Sequence, residues 1–237
     1  MEGPLASLLS PDAATMKVLL INPNTNTSTT ELMLMVARAQ APAGWDWLSL
    51  TAARGAALID NPESLALAAD EVAAMAPRIK ALAVDAVIVA AFGDPGLQAL
   101  REALEIPVVG IGEAAMKAAD ALGLPFSVLT ITPRLRESTL RQIRRYGCET
   151  HFNTLVITAE DAATTSRDHD TLVAKIRQSI HRAIVEDGSR VLVIGGGPVA
   201  AAAQTLSQRE DLVTIQLLVA AIHQLQHLPA SCRLPLV

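Results

Sequence analysis

The chain lacks the features of a disulfide-stabilised, nucleic-acid-binding or membrane-spanning protein. It has only two cysteines, Cys148 and Cys232, which lie far apart without metal-site spacing, and this favours reduced thiols in a cytoplasmic protein. The net charge is −5 and no dense cluster of lysine and arginine is present, so we expect no nucleic-acid partner. Apolar runs are interrupted well before the ~20 residues that a membrane-spanning helix needs, so we expect no membrane partner.

Aromatic residues are also scarce, at 3%, whereas 51% of the residues are hydrophobic and most of these are small or aliphatic. This composition favours alternating strands and alanine-rich helices over an all-β sandwich. The first residues lack the basic region of a secretory signal. We therefore expect residues 1–15 to form an N-terminal tail, or to precede an alternative start at Met16.

Short apolar strand patterns alternate with helical patterns from residue 17 onward. Strand patterns occupy residues 18–21, 45–50 as an edge strand, 86–90, 107–111, 126–130 and 190–194. Helical patterns begin at the Ser28–Glu31 capping box and at Asp94-Pro95, and they occupy residues 64–82 with a kink at Pro77, 113–122, 135–146 and 169–187. A last strand and helix cover residues 212–227.

This alternation predicts an α/β fold with two similar lobes. A strand followed by a loop of small residues recurs twice in each half, ending at Ile21, Ala90, Thr130 and Ile194. Each lobe is expected to be a mostly parallel sheet flanked by helices, with the ligand cleft between the lobes at the strand ends. We expect residues 16–111 with 213–237 to form lobe 1, and residues 112–212 to form lobe 2.

Four loops follow a predicted strand and lead into a helix, at residues 22–25, 91–94, 130–134 and 195–198. Backbone amides at a helix N-terminus favour an anionic ligand group, and glycines at 195–197 allow close backbone approach. No phosphate-loop or dinucleotide-binding pattern is present. The expected partner is therefore a small carbonyl or carboxylate compound.

Motifs along most of the chain, from residue 16 to about 199, resemble those of the hydantoin and allantoin racemases in the Asp/Glu/hydantoin racemase superfamily. The resemblance is carried by Ile21-Asn22-Pro23-Asn24-Thr25, Phe92-Gly93-Asp94-Pro95-Gly96-Leu97, Gly110-Ile111-Gly112-Glu113-Ala114-Ala115-Met116, Phe126-Ser127 with Thr130 and Pro133-Arg134, Tyr146-Gly147 and Glu186-Asp187-Gly188. It implies the two-lobed fold of that family and an isomerase activity that uses neither a metal nor an organic cofactor.

Racemisation removes a proton beside a carbonyl group and returns one to the opposite face, which requires two acid/base groups. Members of the family typically use two cysteines, because a thiol at a helix N-terminus has a lowered pKa. By motif, these positions correspond to Ala91 and Gly196, and neither side chain can exchange a proton. The acidic residue that relatives carry after the last strand is also missing around Gln216. The resemblance therefore implies a racemase fold with a cysteine-less active site.

The remaining candidate catalytic residues are Asp94 and Thr130. Asp94 is interpreted either as a base or as the N-cap before Pro95, and relatives with thiols share it, which favours the structural role. Thr130 is either a ligand contact or a turn residue, since an unaided hydroxyl is a poor base. Glu113 is interpreted as a first-turn carboxylate favoured by the helix dipole.

The predicted substrate-binding residues are Asn22, Asn24, Thr25, Phe92, Gly93, Thr130, Gly196 and Gly197. The alternative for Asn22 and Asn24 is that they only close the turn after the first strand. His223 and His227 lie four apart on the last helix, and without a third ligand we interpret them as a surface pair. No metal site is expected.

Two functional hypotheses follow. The first is a cofactor-independent isomerase that acts on a small hydantoin, ureide or amino-acid-like carbonyl compound by α-proton transfer without thiols. The alternative is a catalytically silent ligand-binding or regulatory homologue that keeps the amide-lined cleft. A third hypothesis is that both cysteines were replaced by engineering, which the change around Gln216 disfavours. A single engineered change at Ala91, with Gly196 natural, stays open. We also expect a homo-oligomer.

Overall fold

Two four-stranded parallel sheets flanked by helices make up the chain in a computed structural model that describes residues 15–158, 169–195 and 212–228. The first sheet contains β1 (Met16–Asn22), β2 (Trp45–Thr51), β3 (Ala86–Val89) and β4 (Val108–Gly110) in the order β2-β1-β3-β4. The second contains β5 (Phe126–Thr130), β6 (Phe152–Ile157), β7 (Val191–Gly195) and β8 (Val213–Ile215) in the order β6-β5-β7-β8. The predicted α/β fold with two similar parallel sheets is confirmed.

The helices connect successive strands and cover the sheets. They are α1 (Thr27–Gln40), α2 (Pro62–Ala74), α3 (Ala76–Ala81), α4 (Leu97–Ala103), α5 (Ile111–Asp120), α6 (Arg136–Arg145), α7 (His169–Val185) and α8 (Leu217–Gln226), and a 3₁₀ turn at Pro133–Leu135 precedes α6. α2 ends just before α3, at the break that Pro77 predicts, because proline lacks the amide that would continue the helix.

The central strands are mostly apolar because apolar layers cover both of their faces. All residues of β3, β5 and β7 are buried, as are the last five of β1. In β1, Leu20 pairs with Ser49 of β2 on one side and with Ile88 of β3 on the other. Burial on both faces is typical of strands in parallel sheets, and it fixes where each strand ends.

The edge strands β2 and β6 differ in how well the sequence predicts them. β2 occupies the predicted edge position beside β1. β6 was not predicted: its first half contains the polar residues Asn153 and Thr154, and only Leu155 and Val156 are buried. Its strand conformation depends on pairing with β5 in the second sheet, which a local pattern does not reveal.

Two predicted helix starts are wrong. The side chain of Asn26 caps α1 by accepting a hydrogen bond from the amide of Thr29, so Ser28 lies inside the helix. α4 begins at Leu97 after Gly96, whose φ of 74° only glycine adopts readily. Asp94 is therefore not the N-cap of the helix that follows it.

The chain passes between the sheets at α5, and its last described segment returns to the first. β8 pairs with β7 in the second sheet, whereas α8 packs in the core cluster of the first sheet, with Ala221, Ile222 and Leu225 buried there. The division into residues 16–111 with 213–237 and residues 112–212 stays a prediction. The predicted tail lies outside the described residues except for residue 15.

None of the helices in the described ranges combines the length and hydropathy needed to cross a membrane. Within the same ranges, no group of three or more histidine, cysteine and acidic side chains is placed to hold a metal ion. The rings of His223 and His227 lie 4.0 Å apart between centroids, and His227 is bonded to the His223 carbonyl. The two rings are tilted by 34° to one another and lie at the C-terminal end of α8.

Candidate functional site

The loop after β3 meets the carboxyl end of β7. A Cβ atom built on Gly195, the last residue of β7, would lie 3.1 Å from the ring of Phe92. The first lobe therefore places Phe92 directly against the end of a strand in the second. Gly196 and Gly197 follow Gly195 and lie outside the described residues. Ala91 is partly buried beside Phe92, and its methyl group carries no proton-transfer chemistry.

The loop after β1 is held together by its own asparagines. The side-chain NH₂ group of the buried Asn22 donates to the Asn24 side chain, the Asn26 carbonyl and the Thr30 hydroxyl, each at 2.9 Å. The Asn22 side-chain oxygen accepts the Asn24 amide at 3.1 Å. These contacts match the turn-closing alternative for Asn22 and Asn24. Thr25 donates its amide to the Ala56 carbonyl at 3.1 Å, which ties this loop to the segment after β2.

Thr130 lies at the end of β5, and its side chain contacts the next turn. Its hydroxyl is 2.9 Å from that of Thr132 and accepts the Thr132 amide at 3.3 Å. Thr130 is 2% exposed, and its carbonyl accepts the Thr158 amide. In this arrangement the hydroxyl closes the turn after β5, and its hydrogen-bond partners among the described residues include no base that could activate it.

Gly93 allows the loop after β3 to approach α2. A Cβ there would lie 2.7 Å from a Leu65 methyl group, so a larger residue would displace that side chain. On the other side, the Gln142 amide of α6 donates to the Phe92 carbonyl at 3.2 Å. The loop is thus anchored to both lobes.

Asp94 caps α5, which is not the helix that its sequence position predicts. Its carboxylate accepts the amides of Gly112 at 2.9 Å and Glu113 at 2.7 Å, the first turn of α5. The Tyr146 hydroxyl of the second lobe donates to the same carboxylate at 2.8 Å. Asp94 has a φ of 45°, a conformation that aspartate tolerates better than most residues. The contacts make Asp94 a strut between the two lobes.

The glycines of α5 and β4 make this strut possible. A Cβ on Gly110 would lie 2.5 Å from the Asp94 carboxyl carbon. A Cβ on Gly112 would overlap the Phe92 carbonyl oxygen. Both positions therefore need glycine for steric reasons, because the loop after β3 lies directly on the start of α5.

The electrostatics of the strut depend on burial. Burial raises the pKa of Asp94 to about 7, against the lowering effect of its bonds to Gly112, Tyr146 and Glu113. Burial and the Asp94 charge also raise the pKa of Tyr146 far above its usual value. Tyr146 therefore stays protonated near neutral pH and acts as a hydrogen-bond donor to Asp94.

Glu113 is the second buried carboxylate at this junction. Its side chain is 5% exposed and forms ion pairs with Lys117 at 2.5 Å and Arg101 at 2.7 Å. Burial opposes its ionisation, but the bonds to Lys117 and Arg101 outweigh burial and lower the pKa of Glu113. Glu113 does lie in the first turn of α5, as predicted, but it is a paired and buried charge.

Cys148 does not supply the missing thiol. It lies in the apolar cluster that contains Phe126 and Val128, and its thiol contacts the Tyr146 carbonyl at 3.6 Å. Burial raises the pKa of Cys148 to about 11, so the thiol is protonated near neutral pH. Cys232 lies outside the described residues.

The sequence did not predict Gln142 and Tyr146 as partners of the loop after β3. Tyr146 is the one tyrosine of the chain and belongs to the Tyr146-Gly147 motif, which was the available signal. The structure brings together Phe92, Asp94 and Gly195. It places Asn22 and Thr130 in self-contained turns at the ends of their own strands.

Comparison with known proteins agrees with this architecture. A family model for Asp/Glu/hydantoin racemases matches residues 18–225. A hydantoin racemase from Paenarthrobacter aurescens is 28% identical over 216 residues, which span 91% of this chain and 92% of that protein. An allantoin racemase structure from Klebsiella pneumoniae matches with a TM-score of 0.79 and 31% identity over 89% of this chain and 86% of that one. One from Pseudomonas fluorescens matches with a TM-score of 0.78 and 29% identity over 88% of each. The chain therefore belongs to the Asp/Glu/hydantoin racemase family.

Proposed function

We propose that the protein is an isomerase-type member of the family that acts on a small hydantoin, ureide or amino-acid-like carbonyl compound. It would bind this compound between the two lobes and transfer the α-proton without thiols, metal or organic cofactor. The observation that carries the proposal is the contact between Phe92 and the end of β7, because it brings the loops of both lobes to one place. The likeness to hydantoin and allantoin racemases supports the substrate class.

The chemistry must then come from the backbone and from water. Amides in the loops at the strand ends can stabilise an enolate-like oxygen, which is the largest charge that develops in α-proton removal. A water molecule would have to take the place of the thiol that the family motif has at position 91. The Asp94 carboxylate already accepts three hydrogen bonds, so it orders the loop and is a poor choice for the base.

A second candidate function is ligand binding without turnover. It is favoured by the side chains themselves: in the described part of the site, Thr130 is bonded to its own turn and Asp94 is engaged by three donors. A protein of this kind would keep the cleft and bind the same small carbonyl compounds, and it would respond to them as a sensor or carrier.

The test is hydrogen exchange at the α-carbon of 5-methylhydantoin and of allantoin in heavy water, followed by NMR. For an isomerase, exchange exceeds the protein-free rate and is equal in a Cys148→Ser variant, whose thiol is outside the site. For a binder, exchange stays at the protein-free rate while the ligand raises the melting temperature. Neither exchange nor a thermal shift with any such compound would contradict both candidates.

The proposal also includes a cytoplasmic homo-oligomer, motivated by a sequence with only two cysteines, far apart and without metal-site spacing, and by the family resemblance. Light scattering of the purified protein gives the mass directly. A mass of 25 kDa at micromolar concentration, that of one chain, would contradict the oligomer.

A further inference from the structure

A polar cavity of about 170 Å³ lies between the two lobes, next to the Asp94 strut. Gln98 and Arg101 of α4 line it from the first lobe, and Gln142 and Arg145 of α6 line it from the second. Glu113 and Asp94 form part of its wall. Asn22 and Thr130 do not contribute to it, so its lining differs from that of the loops at the ends of β1 and β5.

The charges around the cavity leave one cation without a partner. Glu113 pairs with Arg101 and Lys117, and the Arg101 Nε also donates to the Val108 carbonyl at 2.9 Å. Asp94 is stabilised by two amides and the Tyr146 hydroxyl. Arg145, in the last turn of α6, lies at the exposed mouth of the cavity and forms no ion pair with any described residue. Even with Asp94 fully ionised, two carboxylates face three cations, so the positive charge of Arg145 is not balanced by the described residues around the cavity.

The two glutamine side chains that line the cavity, Gln98 and Gln142, have oxygen acceptors that no described residue uses. Gln98 uses its NH₂ group on Glu102 at 3.0 Å, and Gln142 uses its NH₂ group on the Phe92 carbonyl. Their side-chain oxygens accept no hydrogen bond from the described residues. A ligand that fits the cavity therefore needs an anionic group for Arg145 and an N–H group for the glutamine oxygens.

We propose that this cavity binds a small monocarboxylate that carries an N–H group, such as an N-acylated amino acid. The guanidinium of Arg145 would hold the carboxylate through paired N–H bonds, because its planar fork matches the two carboxylate oxygens. A phosphate dianion fits less well, since Arg145 is one cation and balances only one of its two negative charges.

Ligand binding in this cavity would affect the loop after β3. The ligand would contact α4 in the first lobe and α6 in the second, and Gln142 connects the cavity wall to the Phe92 carbonyl. An occupied cavity would therefore fix how the two lobes meet near Phe92 and Gly195. The proposal concerns binding only, and it does not depend on whether the protein turns over a substrate.

The probe is N-acetylglycine, titrated into the full chain at constant ionic strength by calorimetry. Saturable binding is expected, with an affinity at least about tenfold lower in Arg145→Gln because the charged bonds are lost. Arg144→Gln is the matched control: it removes the same charge from the same helix, at a residue that is exposed like Arg145 but does not line the cavity. N-acetylglycinamide, which keeps the N–H groups but lacks the charge, is expected to bind as weakly to the parent protein as N-acetylglycine binds to Arg145→Gln.

Three results would overturn the proposal. The first is the lack of saturable binding to the parent protein. The second is equal weakening by Arg145→Gln and Arg144→Gln, which would indicate a general charge effect. The third is binding that Arg145→Gln leaves unchanged, which would place the ligand elsewhere in the molecule.

Discussion

The hydroxyl of Tyr146 donates a 2.8 Å hydrogen bond to the carboxylate of Asp94 and so joins the second lobe to the loop after β3 in the first. The same carboxylate caps α5, the helix through which the chain passes from one sheet to the other. A single buried side chain therefore holds together a loop, a helix start and the opposite lobe. Substitutions at this junction are expected to change stability and pH dependence together.

Tyr146→Phe removes the hydroxyl and keeps the ring. We expect the free energy of unfolding to fall by about 1–3 kcal/mol, because a buried carboxylate loses one of its three donors. Chemical denaturation at pH 7 measures the change. Arg144→Gln, an exposed substitution two residues away, is expected to change stability by less than about 0.5 kcal/mol. Equal stabilities of Tyr146→Phe and the parent protein would show that the bond contributes nothing.

Stability is expected to fall as the pH rises from about 4 to about 7. An aspartate has an ordinary pKa of 3.8, whereas the pKa of Asp94 in the folded protein is about 7. Between these two values the folded state holds a proton that the unfolded state has lost. The unfolded state then binds fewer protons, and the free energy of unfolding decreases by an amount on the order of a few kcal/mol before levelling above pH 7.

The check is a series of denaturation curves between pH 5 and 8. This range avoids the loss of stability that Glu113, with its lowered pKa, produces only at more acidic pH. In Asp94→Asn the slope is expected to disappear, because the amide does not titrate. A parent protein whose stability is flat or rises over this range would show that Asp94 is ionised throughout.

Gly195→Ala tests whether the two lobes meet at Phe92. The added methyl group would lie 3.1 Å from the Phe92 ring and 3.3 Å from the Leu129 carbonyl, so we expect a loss of about 1–3 kcal/mol through overpacking. Phe92→Leu introduces a smaller side chain. In the double variant with Gly195→Ala, it is expected to recover part of that loss. The free energies of unfolding of the parent and the three variants form a double-mutant cycle. An interaction energy of zero would mean that the two residues do not touch.

The sequence predicts the fold well where a strand is buried on both faces. The central strands β1, β3, β5 and β7 are mostly apolar, with Lys17 and Ser127 as the polar residues before their last positions, so pattern alone locates them. The sequence fails at β6, where Asn153 and Thr154 interrupt the pattern and only pairing with β5 fixes the conformation. Parallel edge strands depend on a neighbour that is distant in sequence.

The same limit explains Asp94. Position in the chain indicates a cap for the helix after Pro95, but the amide of Gly112 and the hydroxyl of Tyr146 lie 18 and 52 residues further on. A local sequence pattern does not reveal contacts between residues so far apart in the chain. The family motifs contain both partners, so the resemblance indicates that these residues matter, whereas only the structure shows that they contact one another.

Introducing thiols at the two family positions tests where the chemistry would occur. In the double variant Ala91→Cys and Gly196→Cys we expect α-proton exchange of 5-methylhydantoin in heavy water to rise about 10²–10⁴-fold, the usual contribution of a positioned acid/base group. Each single variant should gain far less racemisation, because inversion needs a proton carrier on both faces of the carbon. The matched control is Ala91→Ser with Gly196→Ser, which supplies groups of similar size that are poor acids at neutral pH. If the cysteine pair exchanges protons no faster than the serine pair, residues 91 and 196 do not flank a bound substrate.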